Sequence, residues 1–354
     1  MNPYTYIPLA TGLGLAATFF VSAHPLFTSL EVVALVLGVM ASVHHAEVIA
    51  HKLGEPLGTL VLALAVTVIE ASLILTLMFS GGPDSAALAR DTIFAAVMII
   101  CNGVLGLCLL YGGLHHKEQS FKIEGTGSGF AALVTLATLV LVMPTLTVSS
   151  SVGTYTDSQL VFVALSSITL WLVFVFIQTI RHRDYFLPDA AMGDESVHAE
   201  PPSNKEAWFS LVLMLVSLVC VVGFAKKLST PVELLVHDVG APKAVVGIIV
   251  AMIVLMPEML ASMRAARANR LQTSMNLAFG SALATIGLTI PLVVACSVVF
   301  KMPLTLGLAP PEIAMLFLTF MVGTITLGSG RTNVMQGAIH LVLFAAFLFL
   351  TIIP

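Results

Sequence analysis

Charge is what this sequence has least of. Asp, Glu, Lys and Arg together make up 10% of the 354 residues, against roughly 25% in soluble domains. Hydrophobic residues make up 58% and the mean hydropathy is +1.02, which excludes a soluble globular fold and points to a polytopic membrane protein surrounded by lipid bilayer. There is no Lys/Arg run and no interleaved aromatic platform, and the formal net charge is −4, so nucleic acid is excluded as a partner. Cys101, Cys108, Cys220 and Cys296 all lie inside apolar runs, which implies neither a disulfide framework nor a metal spacing. His-Glu-x-x-His, Gly-x-Gly-Asp and Gly-x-Ser-Gly are missing, which argues against an intramembrane enzyme. No cofactor is expected.

Long apolar runs are present instead. Stretches of about 17 to 25 residues bounded by charges or turn residues predict an all-α fold of about eleven transmembrane helices, at 5–22, 29–51, 58–80, 91–112, 128–148, 158–180, 207–226, 242–264, 272–298, 310–328 and 333–353. The run Ile7 to Ser22 ends in small residues like a cleavage site, but nothing positive precedes it, so it is read as a retained span. Gly54-Glu55-Pro56, Gly81-Gly82-Pro83-Asp84, Gly240-Ala241-Pro242 and Ala309-Pro310-Pro311 mark turns.

The main polar interruption, Arg181 to Glu206, divides the chain. This gives an extra N-terminal helix at 1–28, a first five-helix repeat at 29–180, an acidic linker at 181–206 and a second five-helix repeat at 207–354. An odd number of spans per half makes the second half enter the membrane from the opposite side, the inverted-repeat plan of secondary transporters. Thr92 precedes Gly106-Leu107 by fourteen residues and Thr273 precedes Gly287-Leu288 by the same interval. Each pair follows a span carrying one glutamate, Glu70 or Glu258. Of the 15 Lys and Arg, only Arg90, Lys226, Lys227, Lys243 and Lys301 fall on the side opposite the N-terminus. The positive-inside rule therefore predicts a cytoplasmic N-terminus and linker, in a bacterial inner membrane.

Glu70 and Glu258 carry the chemistry. Insertion scales put an acidic group at a helix centre at about +2.5 to +3.5 kcal/mol, so such a residue is a functional-site hypothesis by default. Glu258 follows Pro257, which has no N–H and should free the carbonyl of Ile253. Thr67 lies one turn before Glu70 on its own face. The next span of each half adds Asn102 and a stripe of Ser281, Thr285 and Thr289. This inventory of hard oxygen suits calcium better than zinc or copper. Burial favours a protonated carboxyl and a bound cation favours the ionised form, so proton and metal should compete for one site. Glu47, with His44, His45 and His51 near the end of the second span, is read as an interfacial polar cap or proton access route. Glu312, after two prolines, complements a helix N-terminus or gates, and His340 is read as structural.

The stretch HHAEVIAHKLGEPLGTL leading into Glu70, VLMPEML around Glu258, MNLAFGSALATIGLTIP and GSGRTNVMQGAIHLVLF resemble the bacterial calcium/proton antiporters of the cation/proton exchanger family, in the calcium/cation antiporter superfamily, most closely the ChaA-type members. The resemblance implies eleven spans in two inverted repeats and a mid-membrane cation site made by Glu70 and Glu258. It also places Glu47 in a recurring Glu-containing segment and makes the linker a cytoplasmic cation sensor. The implied activity is export of calcium in exchange for protons by alternating access, with sodium or potassium for protons as the alternative; assembly of several copies is left open. One departure bears on the ion. The usual Gly-Asn pair before each glutamate is here Val66-Thr67 and Val254-Leu255.

Overall fold

The computed structural model describes residues 3–18, 25–54, 57–187, 202–238 and 240–353. Its helices are α1 (Ile7–Ala17), α2 (Pro25–Leu53), α3 (Leu57–Gly81), α4 (Leu88–His116), α5 (Ile123–Leu146), α6 (Asp157–Arg181), α7 (Asn204–Asp238), α8 (Ala244–Arg267), α9 (Leu271–Phe300), α10 (Pro310–Gly328) and α11 (Val334–Ile352). The fold is an all-α polytopic membrane protein. Among the described residues the only strand pairing is a two-residue antiparallel bridge, Gln119–Ser120 with Arg331–Thr332. Gly54 and Gly240 turn the chain at φ +65° and +69°, a conformation glycine adopts without steric penalty.

Among the described residues ten helices are long and apolar enough to cross a bilayer, beside the expectation of about eleven. The first, α1, has 11 residues and at 1.5 Å per residue spans only about half of a hydrocarbon core of about 30 Å; the remainder of the stretch expected at 5–22 lies outside the described residues. The seventh span does not stop at Lys226 but runs on through Pro231 to Asp238. Lys is a good helix former, and Lys227 discharges its ammonium locally by donating to the Thr18 carbonyl at 2.6 Å. Beyond it Leu228 and Val236 are buried, so the helix continues because it has a face to bury. Most of the linker expected at 181–206, and Glu55 and Pro56, lie outside the described residues.

The packing centre is α4, whose apolar stretch is 89% buried. It lies against α8 and α11, and a Cβ at Gly113 or Gly337 would strike the backbone of the facing helix, at Val334 and Leu110 respectively. Glycine here permits the close helix contact on which association in lipid depends. The outer helices present Phe162, Leu165, Phe317, Ile325, Val342 and Phe349 outward, an apolar girdle suited to lipid.

Four spans contain a π-helical turn: Ile99–Val104 in α4, Thr138–Val142 in α5, Ile177–Arg181 in α6 and Thr285–Thr289 in α9. Such turns are frequent at functional sites. On the side opposite the N-terminus, residues 302–309 form an extended strap. Its backbone donates from Thr305 to Ala86, from Leu306 and Gly307 to Gly153, and from Leu308 to Leu141, at 2.8–3.0 Å. Non-helical backbone is tolerated in a membrane protein where protein groups satisfy it.

Candidate cation site

Glu70 sits in α3, facing the π-helical turn of α9, and is 2% exposed. Its Oε2 accepts a hydrogen bond from the Thr289 hydroxyl at 2.8 Å, and Thr285 opens the same π-helical turn. The extra residue of the π-helical turn offsets the usual helical stagger, and Gly287 within it leaves room for Trp171 of α6, into which a Cβ would collide. The stripe read from the sequence thus reaches Glu70 through Thr289. Ser281, one turn earlier, keeps its buried Oγ without a hydrogen-bond partner among the described residues.

Glu258 occupies α8, which stays helical through Pro257. Pro257 has no N–H to give the Ile253 carbonyl, which leaves that oxygen free of its helical bond. Glu258 Oε2 is buried and has no hydrogen-bond partner among the described residues. Glu70 and Glu47 both lie close enough to act on its charge. The helices of Glu70 and Glu258, α3 and α8, pack on one another, and Glu258 keeps a buried oxygen with no partner among the described residues.

The other expected residues separate from this pair. The Thr67 hydroxyl donates to the Ala63 carbonyl of its own helix at 2.8 Å. Asn102, fully buried, donates to Thr319 at 2.9 Å and faces His340 at 3.1 Å. Glu47 has a side chain 53% exposed, 4.0 Å from His44 Nδ1, and is acted on by Arg264. His45 lies 3.1 Å from the Tyr4 carbonyl through Nε2, while its buried Nδ1 has no partner among the described residues. Glu312 accepts from the Ala309 backbone N–H at 2.8 Å, closing the first turn of α10. No group of three or more His, Cys, Asp or Glu among the described residues is placed to hold a metal ion by itself.

Asp91, not among the residues expected to matter, is 8% exposed and paired with Arg90 at 2.7 Å. Arg90 also donates to the Gly307 carbonyl at 3.1 Å. The adjacent Arg-Asp pair had marked only a span boundary; an acidic residue inside the predicted span was the available signal.

The profile of the family described as sodium/calcium exchanger protein matches residues 12–180 and 209–353. The chain belongs to the sodium/calcium exchanger family. Among its relatives the protein y4hA of Sinorhizobium fredii (strain NBRC 101917 / NGR234) is 49% identical over 316 residues, 89% of this chain and 86% of the relative. The sodium-potassium/proton antiporter ChaA of Escherichia coli (strain K12) is 36% identical over 332 residues, 92% and 89% of the two chains. The exchanger fold is shared with the solved structure of native YfkE, at a TM-score of 0.75 and 18% identity, covering 99% of this chain and all of that one. The crystal structure of the H+/Ca2+ exchanger CAX matches at a TM-score of 0.72 and 14% identity, covering 98% and 86%.

Proposed function

We propose that this family member is a secondary cation/proton antiporter working by alternating access, with Glu70 and Glu258 as the shared cation and proton site. The observation that carries the reading is two carboxylates within the spans, one buried and hydrogen-bonded and the other with a buried Oε2 that has no partner among the described residues. Such an oxygen in a membrane interior calls for a proton or a cation. Occupancy by one excludes the other, and exchange follows if only loaded states reorient. Thr285, Thr289 and the Ile253 carbonyl are the supporting oxygens. The order of elements in each half, a glutamate helix followed by a helix with a π-helical turn, supports the inverted-repeat reading.

For the transported ion, hard oxygens and two negative charges support calcium. A second reading, sodium or potassium, is supported by the 36% identity to a relative named for those ions, against 22–23% for relatives named Ca2+/H+ antiporters. It is also supported by the absence of a Gly-Asn pair before either glutamate. The relatives shift the weight toward the monovalent ions. Everted vesicles holding a preformed pH gradient test both: addition of calcium, sodium and potassium in parallel should collapse the gradient with at least one. No collapse with any of them, or collapse that persists in Glu70→Gln and Glu258→Gln, overturns the assignment.

A further inference from the structure

His340 is the one ionisable side chain of α11, and it is fully buried. It stands in a continuous chain of side chains crossing three helices. Thr326 of α10 lies 3.0 Å from His340 Nε2, His340 Nδ1 lies 3.1 Å from Asn102 Oδ1, and Asn102 Nδ2 lies 2.9 Å from the Thr319 hydroxyl of α10. The chain ends at Met98 Sδ, 3.4 Å from Thr319 Oγ1 and 3.8 Å from Asn102 Nδ2. Thr319, Asn102 and Met98 are fully buried and Thr326 is 2% exposed.

The sulfur fixes the direction of every bond. A thioether accepts and never donates, so the groups aimed at it, the Asn102 amide and the Thr319 hydroxyl, are donors. Asn102 then turns its carbonyl toward His340, which must carry its hydrogen on Nδ1 and accept from Thr326 on Nε2. The chain runs Thr326, His340, Asn102, Thr319, Met98. It is not a proton conduit, because its last member has no proton to pass on. Asn102 has both amide hydrogens engaged and its oxygen in use, which removes it from competition for a cation.

What this chain holds is the π-helical turn Ile99–Val104, on which Asn102 lies. That turn packs on α8, the helix of Glu258, and on α9, the helix of Thr285 and Thr289. We propose that His340 and Asn102 are positioning residues of the transport site: a buried interhelical clasp between α4, α10 and α11 that seats the π-helical turn against the Glu258 helix, with neither side chain touching the ion. The inference rests on the antiport reading for its transport assay and on cation binding alone for its second assay.

The test compares three variants. Asparagine places an amide N–H where His340 Nδ1–H stood, glutamine places one at the Nε2 position, and leucine places none. In vesicles supplied with calcium, sodium or potassium, His340→Leu and His340→Gln should raise the apparent KM of the transported cation about tenfold, the loss of one buried hydrogen bond, with maximal rate within about twofold. His340→Asn should restore KM to within about twofold of the parent with an unchanged pH profile. The same order should appear in the cation concentration needed to raise the melting temperature of purified protein in detergent. If His340→Leu cannot be recovered, the asparagine and glutamine variants carry the comparison. Equal behaviour of those two, an unchanged KM with only lowered melting temperature, or an altered pH profile in His340→Asn overturns the clasp. A protein that binds a cation in the melting assay yet exchanges none removes the antiport reading alone; one that binds none removes both.

Discussion

Glu70 and Glu258 each lie in a helix followed by one with a π-helical turn, yet their surroundings differ. Glu70 is met by a π-helical turn bearing hydroxyls, and Thr289 donates to it at 2.8 Å. The corresponding turn of the first half, Ile99–Val104, spends its one polar side chain, Asn102, on Thr319 and His340. Glu258 is left with a buried oxygen that no described side chain serves. The order of helices around the two glutamates is alike, and the side chains that meet them are not. The difference teaches that the first carboxylate is held in place by a hydroxyl of the protein, while the second keeps a buried oxygen that no described residue serves.

Removing either carboxylate should give the largest effect and should not distinguish the halves. Glu258→Gln and Glu70→Gln are each expected to lower cation-driven proton movement by about 100-fold or more, each tenfold corresponding to about 1.4 kcal/mol; the dissipation rate of a vesicle pH gradient measures it. Retained exchange in one variant would show that only the other carboxylate is essential. Next, Thr289→Val strips Glu70 of its donor. A hydrogen bond to a charged group contributes about 1.5–3 kcal/mol, so the cation KM should rise by about 10-fold or more, and an unchanged KM would remove the claim that Glu70 is held. Gly287→Ala drives a methyl into Trp171 and should lower stability by roughly 1–3 kcal/mol, read as a lower melting temperature in detergent. The smallest effect belongs to Thr67→Val, because that hydroxyl is spent on the Ala63 carbonyl. Transport should change by less than about twofold, given that such self-satisfied hydroxyls compete with nothing outside their own helix. A large loss would return Thr67 to the ion.

Much of this was legible in the sequence for a plain reason. A bilayer fixes the length of an apolar helix, so the spans other than the seventh could be placed, and a carboxylate inside such a run identifies itself. The charges of Lys226 and Lys227 read as a span boundary, whereas the helix carries them past and Thr18 receives one of them. The π-helical turns left no trace, since within an all-apolar run a shift of one residue changes no visible periodicity. The partner of Asn102 is 238 positions away, and nothing local to either residue announces that they meet. Asp91 was hidden by its neighbour Arg90, because an adjacent pair of opposite charges reads as a loop.

The strap at 302–309 bears on how the protein is made. Its N–H groups are the donors for carbonyls of Ala86, Leu141 and Gly153, all in the part of the chain synthesised first. Until the ribosome has passed the ninth helix, those carbonyls await partners that do not yet exist. That face of the bundle is therefore finished only when a later segment, neither helix nor sheet, is laid across helices made before it.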